Sequence, residues 1–486
     1  MSPRRFLVVW IASAIALLVT CGLTGRLHHH TVNDTASYSQ YDWSSRVTVA
    51  SQTRMPGYPL IVRCVAWMTP TAATAFQSIV VIQVTLHALA VSLFAGELAH
   101  RHAPTPWILV MSTVLAVCPT FWDHVNTIAT DSPAMSVGII VATMVLRSYR
   151  LHASFRDDLI IGAIALIAIT LRPAYLFLIP WLVLVTLFPP ASSPTRVIRQ
   201  RLTSSALVVA VPLSFILVWC SFRWVAVNDF GLLPFGHQNM AAVTTQLLDA
   251  DELRDLPGES GQLGALIADR RIVLSRSRDG RLDVSAADGL DLRPTVDAAS
   301  RADSTMTLES RWDAMTYLVV IPAAAQIANS PIQQHRRLAD LDRMIVSRYP
   351  ARYLRWVLLA IRRGIWGGLA NIAMHPVYLS IGCIVGAAIW CCTVTGSTSR
   401  LIAKRSARWD SKDLFQGTFT PITLISLTYA MTSIGFVALT SPLIGRFSDA
   451  AMALVPVWLA IVLITLVVVV GASSQDPVSP SIQREA

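Results

Sequence analysis

A small set of ionisable residues stands where the chain passes between apolar runs and loops. Asp34, Asp42 and Arg54 follow the first run, Asp123, His124 and Asp131 lie within FWDHVNTIATDSPAMS, Arg172 sits in LRPAYLFLIP and Arg446 in LIGRFSDAAM. A carboxylate can take the proton of an attacking hydroxyl, and the guanidinium fork matches the oxygens of a phosphate. Charges near membrane depth are costly, so they are candidates for function by default. Taken singly, each reads equally well as a snorkelling or loop charge. Together they supply acids and arginines from four separate loops, which suits a site that holds an anionic headgroup beside a catalytic acid. That reading requires the four loops to meet on one side of a membrane.

The apolar runs supply that membrane. Of the 486 residues, 53% are hydrophobic and 14% charged, against about a quarter charged in soluble domains. Several runs have the length of a bilayer-spanning helix and almost no charge. The expectation is an all-α polytopic membrane protein, a bundle of about ten transmembrane helices. The spans fall near 6–25, 76–98, 106–122, 132–147, 157–172, 174–190, 204–222, 374–395, 415–440 and 450–472. Arg4 and Arg5 precede the first span, and Arg101 follows the second. Arg147, Arg150 and Arg156 lie between the fourth and fifth, and Arg196, Arg199 and Arg201 follow the sixth. Arg400, Lys404, Arg405, Arg408 and Lys412 follow the eighth. With a cytoplasmic start, all of these basic loops fall inside, as the positive-inside tendency requires. The net charge of +10 therefore reports topology and does not call for a nucleic-acid partner.

Residues 1–222 read as an N-terminal module of about seven spans, whose first outer loop, 26–75, holds Asp34 and Arg54. Residues 223–373 form a large extracytoplasmic region whose middle, 237–312, is polar and acidic enough for a small soluble elaboration. The segment 314–328 is apolar but short and contains Pro322, so it is expected to remain outside. YPARYLRWVLLAIRRGIWGGL alternates apolar residues with Arg352, Arg355, Arg362 and Arg363, the pattern of a helix lying in the membrane interface. Residues 374–472 make a C-terminal module of about three spans, and 473–486 a disordered cytoplasmic tail.

Other chemistries have little support. The cysteines fall mostly in or beside apolar runs, without CxxC or Cys/His metal spacing. The run His28-His29-His30 invites a metal, yet three adjacent imidazoles cannot all face one ion without a special backbone. No metal ligand is assigned, and a divalent metal stays open as a helper. Rossmann and Walker A patterns are absent, so use of a nucleotide sugar at the cytoplasmic face is unsupported.

The order and side of these motifs resemble the GT-C glycosyltransferases, polytopic enzymes that use lipid-phosphate-linked sugars. The nearest resemblance is to the branch with the protein O-mannosyltransferases and the lipid A aminoarabinose transferases. It covers most of the chain and rests on Asp34-x-x-x-Tyr38, Arg54-x-Pro56-Gly57-Tyr58-Pro59, Thr130-Asp131, Arg172-Pro173, Tyr349-Pro350-x-x-Tyr353 and Arg446-Phe447. It implies a multi-pass protein of the plasma (inner) membrane with its active site on the extracytoplasmic side. The activity implied is transfer of a sugar from a polyprenyl-phosphate-linked donor to a glycan, lipid or protein acceptor among the membrane lipids. The resemblance points to Asp34 as the base and to Asp131 as a second acid that orients the acceptor or a metal. It places Arg172 and Arg446 on the lipid phosphate, Arg54 as a weaker third, and Tyr38 and Tyr58 on the sugar pocket. Asp42 competes with Asp34, because it too precedes an aromatic residue, Trp43. The first-loop acid stands as a single aspartate and not as an Asp-Glu or Asp-x-Asp pair, which leaves the base and metal assignments open.

The layout also admits a lipid or polysaccharide transporter or flippase, or a non-catalytic envelope assembly protein of the same fold. Transporters place charges near the midplane on broken helices, whereas here the polar groups gather at the outer ends. One local expectation concerns RMPGYPL. Pro56 and Pro59 disfavour helix before them and Gly57 permits a turn, so a helix should begin near Leu60, within about two turns of Asp34.

Overall fold

The computed structural model describes residues 2–151, 154–191, 193, 197–276, 312, 315–380, 382–383, 387, 415–443 and 450–473. Among the described residues the chain is helical and has no strand. The protein is an all-α polytopic membrane protein. Among the described residues six helices are long and apolar enough to cross a bilayer: Pro3–Leu23, Ala72–His100, Thr105–His124, Ile198–Val227, Pro350–Met374 and Gly417–Ala438. The expected spans near 132–147 and 157–172 appear as the helices Asp131–Ser148 and Phe155–Leu171. The next is shorter than expected, because Pro173–Phe177 winds as a 3-10 turn before the helix Leu178–Leu187 begins. Most of the expected 374–395 span, the basic 400–412 loop, Arg446 and the tail from 474 lie outside the described residues.

The bundle is organised around Asp131–Ser148. This helix is buried nearly all round and packs between Ala72–His100 and Phe155–Leu171, which in turn packs on Ile198–Val227. A mostly apolar helix that is buried on nearly every face belongs in the middle of a bundle. One end of the bundle is tied by charge. The buried carboxylate of Glu97 accepts from Arg101 Nε at 3.2 Å and from Arg150 Nη2 at 2.9 Å, and Arg101 Nη1 reaches the Gly417 carbonyl at 2.6 Å. Arg147, Arg156, Arg199 and Arg201 sit at the helix termini on this same end. Asp131, Arg172 and the first loop are at the other end.

A second apolar cluster lies at that other end. The helices Gly236–Thr244, Gly258–Arg276, Ile321–Ile327 and Pro331–Arg348 pack together there. The chain bends by 108° between Met315–Ile327 and Pro331–Arg348, so this pair does not form one straight span. The helix Pro350–Met374 has the length and composition of a span, and 25 residues of helix extend about 37 Å. A crossing helix of that length would touch opposite ends of the bundle. Instead the Tyr353 hydroxyl donates to the Leu439 carbonyl, Gly364 abuts Leu443, Gly368 abuts Met452, and His375 Nε2 lies 3.4 Å from Asp123 Oδ1. All four neighbours belong to the Asp131 end. The helix therefore runs across that end with Leu354, Leu358 and Trp366 exposed, the disposition of an interfacial helix.

Candidate functional site

The first loop is stapled to the Asp131 turn by backbone. His30 N donates to the Asn126 carbonyl at 2.8 Å and Ile128 N to the His30 carbonyl at 2.9 Å. The Thr35 hydroxyl adds a bond to the Ile128 carbonyl at 3.0 Å, and the buried Gln83 amide donates to the Val125 carbonyl at 2.7 Å. The histidine run is held here by the His30 main chain, with the His29 ring packed edge-on against Phe76. Among the described residues no group of three or more His, Cys, Asp or Glu side chains is placed to hold a metal.

Asp34 precedes the short helix Thr35–Ser39 but its side chain makes no capping bond. The carboxylate turns to Arg54, whose Nη2 lies 2.6 Å from Asp34 Oδ1. Arg54 Nε donates to Ser37 Oγ at 2.9 Å, and its guanidinium stands over the Tyr38 ring, 5.1 Å from the centroid. The helix begins at Gly57, inside RMPGYPL and three residues before the expected start. Pro59 falls in its first turn, where a backbone N–H has no partner within the helix, so a proline there forfeits no bond. Gly57 is needed for a different reason than turning. A Cβ at this position would stand 2.6 Å from the Thr170 carbonyl oxygen. Only a glycine lets this helix start against the end of Phe155–Leu171.

That end is where Arg172 leaves its helix. Pro173 crowds an αR conformation in the residue before it, and Arg172 is extended, with φ −146 and ψ 113. Its guanidinium pairs with Asp131. Asp131 is 6% exposed, and its charge is favoured by its place in the first turn of an 18-residue helix as well as by the arginine. Breaking such a pair from one side strands a buried charge.

Asp34, Tyr38, Arg54, Asp131 and Arg172 all line one cavity of about 1080 Å³. The structure places two of the other named residues outside this cavity. Asp42 is exposed, lies outside this cavity and takes a bond from Ser44 N at 2.8 Å; the two Ser44 hydrogen bonds hold its carboxyl below the usual range. Tyr58 was expected on the sugar pocket, but it is buried behind Tyr38, ring centroids 5.1 Å apart, with its hydroxyl 3.4 Å from Gln83. The early helix start turns it into the bundle core. Arg446 lies outside the described residues.

Sequence reasoning passed over the far wall of the cavity, which holds His237, Asn239, Tyr317 and His335. His237 Nδ1 lies 2.8 Å from Asp342 Oδ2, and the Thr244 hydroxyl donates to Asp342 Oδ1 at 2.6 Å. Burial pushes the Asp342 carboxyl up to about 6 against the pull of those two partners. Burial, with His237 beside it, pushes the His335 imidazole down to about 4. Lone histidines in a polar segment carry no spacing signal, and only the fold sets Asp342 under His237. No protein-family model, curated protein or solved structure matches the chain.

Proposed function

We propose that the protein is a membrane glycosyltransferase that moves a sugar from a polyprenyl-phosphate-linked donor to a cell-envelope acceptor. One observation carries this reading. Asp34, Asp131, Arg54 and Arg172, drawn from three separate stretches of the chain, line a single cavity at one end of the bundle. The acids and the arginines have complementary tasks in such a transfer. The acceptor hydroxyl gives its proton to Asp34, its oxygen bonds to the anomeric carbon, and the bond from that carbon to the phosphate oxygen breaks. Negative charge then grows on the departing polyprenyl phosphate, where Arg172 and Arg54 stabilise it. Asp131 holds Arg172 in place and orients the acceptor. Arg446, in the turn before the last span, is assigned to the same phosphate, and a divalent metal remains an open helper.

The reading includes a GT-C-like bundle of about ten spans in the plasma membrane, with the cavity on the extracytoplasmic side. The arginines at the far end of the bundle support that orientation, because basic termini stay in the cytoplasm. The test is mass spectrometry of envelope glycans and lipids from cells in which Asp34→Asn replaces the wild type. The expected result is loss of one glycosylated product and build-up of its polyprenyl-phosphate donor. A well-folded Asp34→Asn protein that leaves the glycans unchanged would sink the assignment. Loss of a lipid from the outer leaflet without any change in transfer chemistry would favour a flippase.

A further inference from the structure

The two walls of the cavity differ in charge. The wall from the first loop, the Asp131 turn and the Arg172 corner carries two carboxylates and two guanidiniums. The wall from residues 231–239, 312–335 and 436–441 carries no Asp, Glu, Lys or Arg among the described residues that line it. Its polar groups are imidazoles, an amide, a phenol and hydroxyls.

Two of those groups are fixed from behind. His237 Nδ1 lies 2.8 Å from Oδ2 of the buried Asp342 carboxyl; with that carboxylate ionised, Nδ1–H donates to it and Nε2 is the acceptor nitrogen. His335 stands beside it, ring centroids 5.0 Å apart, is 9% exposed, and its Nδ1 has no hydrogen-bond partner among the described residues. An unpartnered buried ring nitrogen is costly unless a bound group completes it. Tyr317, 55% exposed on the same wall, offers an aromatic face.

We propose that this wall is the acceptor subsite and that it takes a neutral polyhydroxylated acceptor, a glycan. The inference rests on the transferase reading above. It follows from what the wall can and cannot recognise. Imidazole Nε2 accepts from a sugar hydroxyl, the Tyr317 ring covers a sugar's C–H face, and none of the described residues lining this wall is an Asp, Glu, Lys or Arg that would neutralise a carboxylate or an ammonium group. Across the cavity Asp34 and Asp131 are each paired with an arginine, so the opposite wall offers a charged acceptor no uncompensated partner either. One acceptor hydroxyl donates to His237 Nε2. A neighbouring hydroxyl attacks the anomeric carbon, yields its proton to Asp34 and displaces polyprenyl phosphate.

The test uses the full-length protein in lipid nanodiscs on an array of neutral glycans, acidic glycans and peptides, with undecaprenyl phosphate binding measured separately. Wild-type protein is expected to be retained by neutral glycans. His237→Ala, at a partly exposed position, and Asp342→Asn should weaken that retention about tenfold, while undecaprenyl phosphate affinity stays within about twofold. Preference for acidic glycans or peptides, absence of any glycan retention, or unchanged retention in His237→Ala would overturn the proposal. Protein that holds neutral glycans but not undecaprenyl phosphate would uphold this wall as a glycan site and overturn the donor assignment.

Discussion

Arg54 Nη2 lies 2.6 Å from Asp34 Oδ1, so a guanidinium brought in by RMPGYPL orients the carboxylate of the preceding loop. Both side chains keep a fifth to a quarter of their surface exposed, so solvent screens the pair and its coupling should be about 1 kcal/mol. Asp34→Asn is therefore expected to abolish transfer while shifting thermal unfolding little. Arg54→Ala should weaken transfer and leave Asp34 in its loop. A double-mutant cycle on unfolding checks the coupling, and a value several times larger would make the pair structural first.

The Asp131–Arg172 pair should behave differently because it is buried. Arg172→Ala leaves a carboxylate without its counter-charge and should cost about 3–5 kcal/mol. Pairing it with Asp131→Asn should recover part of that loss. Unfolding of the purified variants in detergent measures both, and no recovery in the double variant would mean that Arg172 stabilises through other contacts.

Gly57→Ala inserts a methyl group 2.6 Å from the Thr170 carbonyl oxygen. Overpacking of this kind costs about 1–3 kcal/mol, and relief requires the Gly57–Met68 helix to move away from Arg172. Lower stability together with weaker undecaprenyl phosphate binding is the expected result. Equal loss at Gly236, where an added Cβ meets nothing within 4 Å, would show a general glycine effect.

His335 makes stability depend on pH. Its imidazole titrates near 4 in the fold and near about 6.5 when unfolded. Between those values the unfolded chain binds a proton that the folded chain does not, so stability rises with pH and falls as pH drops from 6.5 toward 4. The slope is about 1.4 kcal/mol per pH unit. Asp342, raised to about 6, has the opposite sign: the folded chain binds the extra proton, and stability is lost as pH rises from about 4 toward 6. The two contributions oppose each other where they overlap, which is why the readout is a comparison. The stability of wild type relative to His335→Gln should shrink as pH is lowered through this window, and a constant difference would place His335 outside the buried pocket.

Much of the site was legible because its residues carry local signals. Arg172 before Pro173, and Asp131 at a helix start, are positions where chain geometry and charge agree. RMPGYPL was read correctly as positioning Asp34 but not in detail. The first turn of a helix tolerates Pro59, and the close approach to Thr170 that requires Gly57 involves a residue more than a hundred positions away. Tyr58 was misplaced for the same reason, since a helix start moved by three residues turns a side chain to another face.

The sequence by itself determined that this is a membrane protein of apolar helices, because twenty residues without charge have few stable homes except a bilayer. It also determined which loops carry acids and arginines. Only the tertiary structure decided that Asp34 and not Asp42 shares a cavity with Asp131 and Arg172. The structure alone also set Asp342 beneath His237, whereas the alternation of arginines and apolar residues had already marked Pro350–Met374 as an interfacial helix. The reason is physical: hydropathy is a sum over neighbours in the chain, whereas a cavity is made of contacts between residues that the chain keeps far apart.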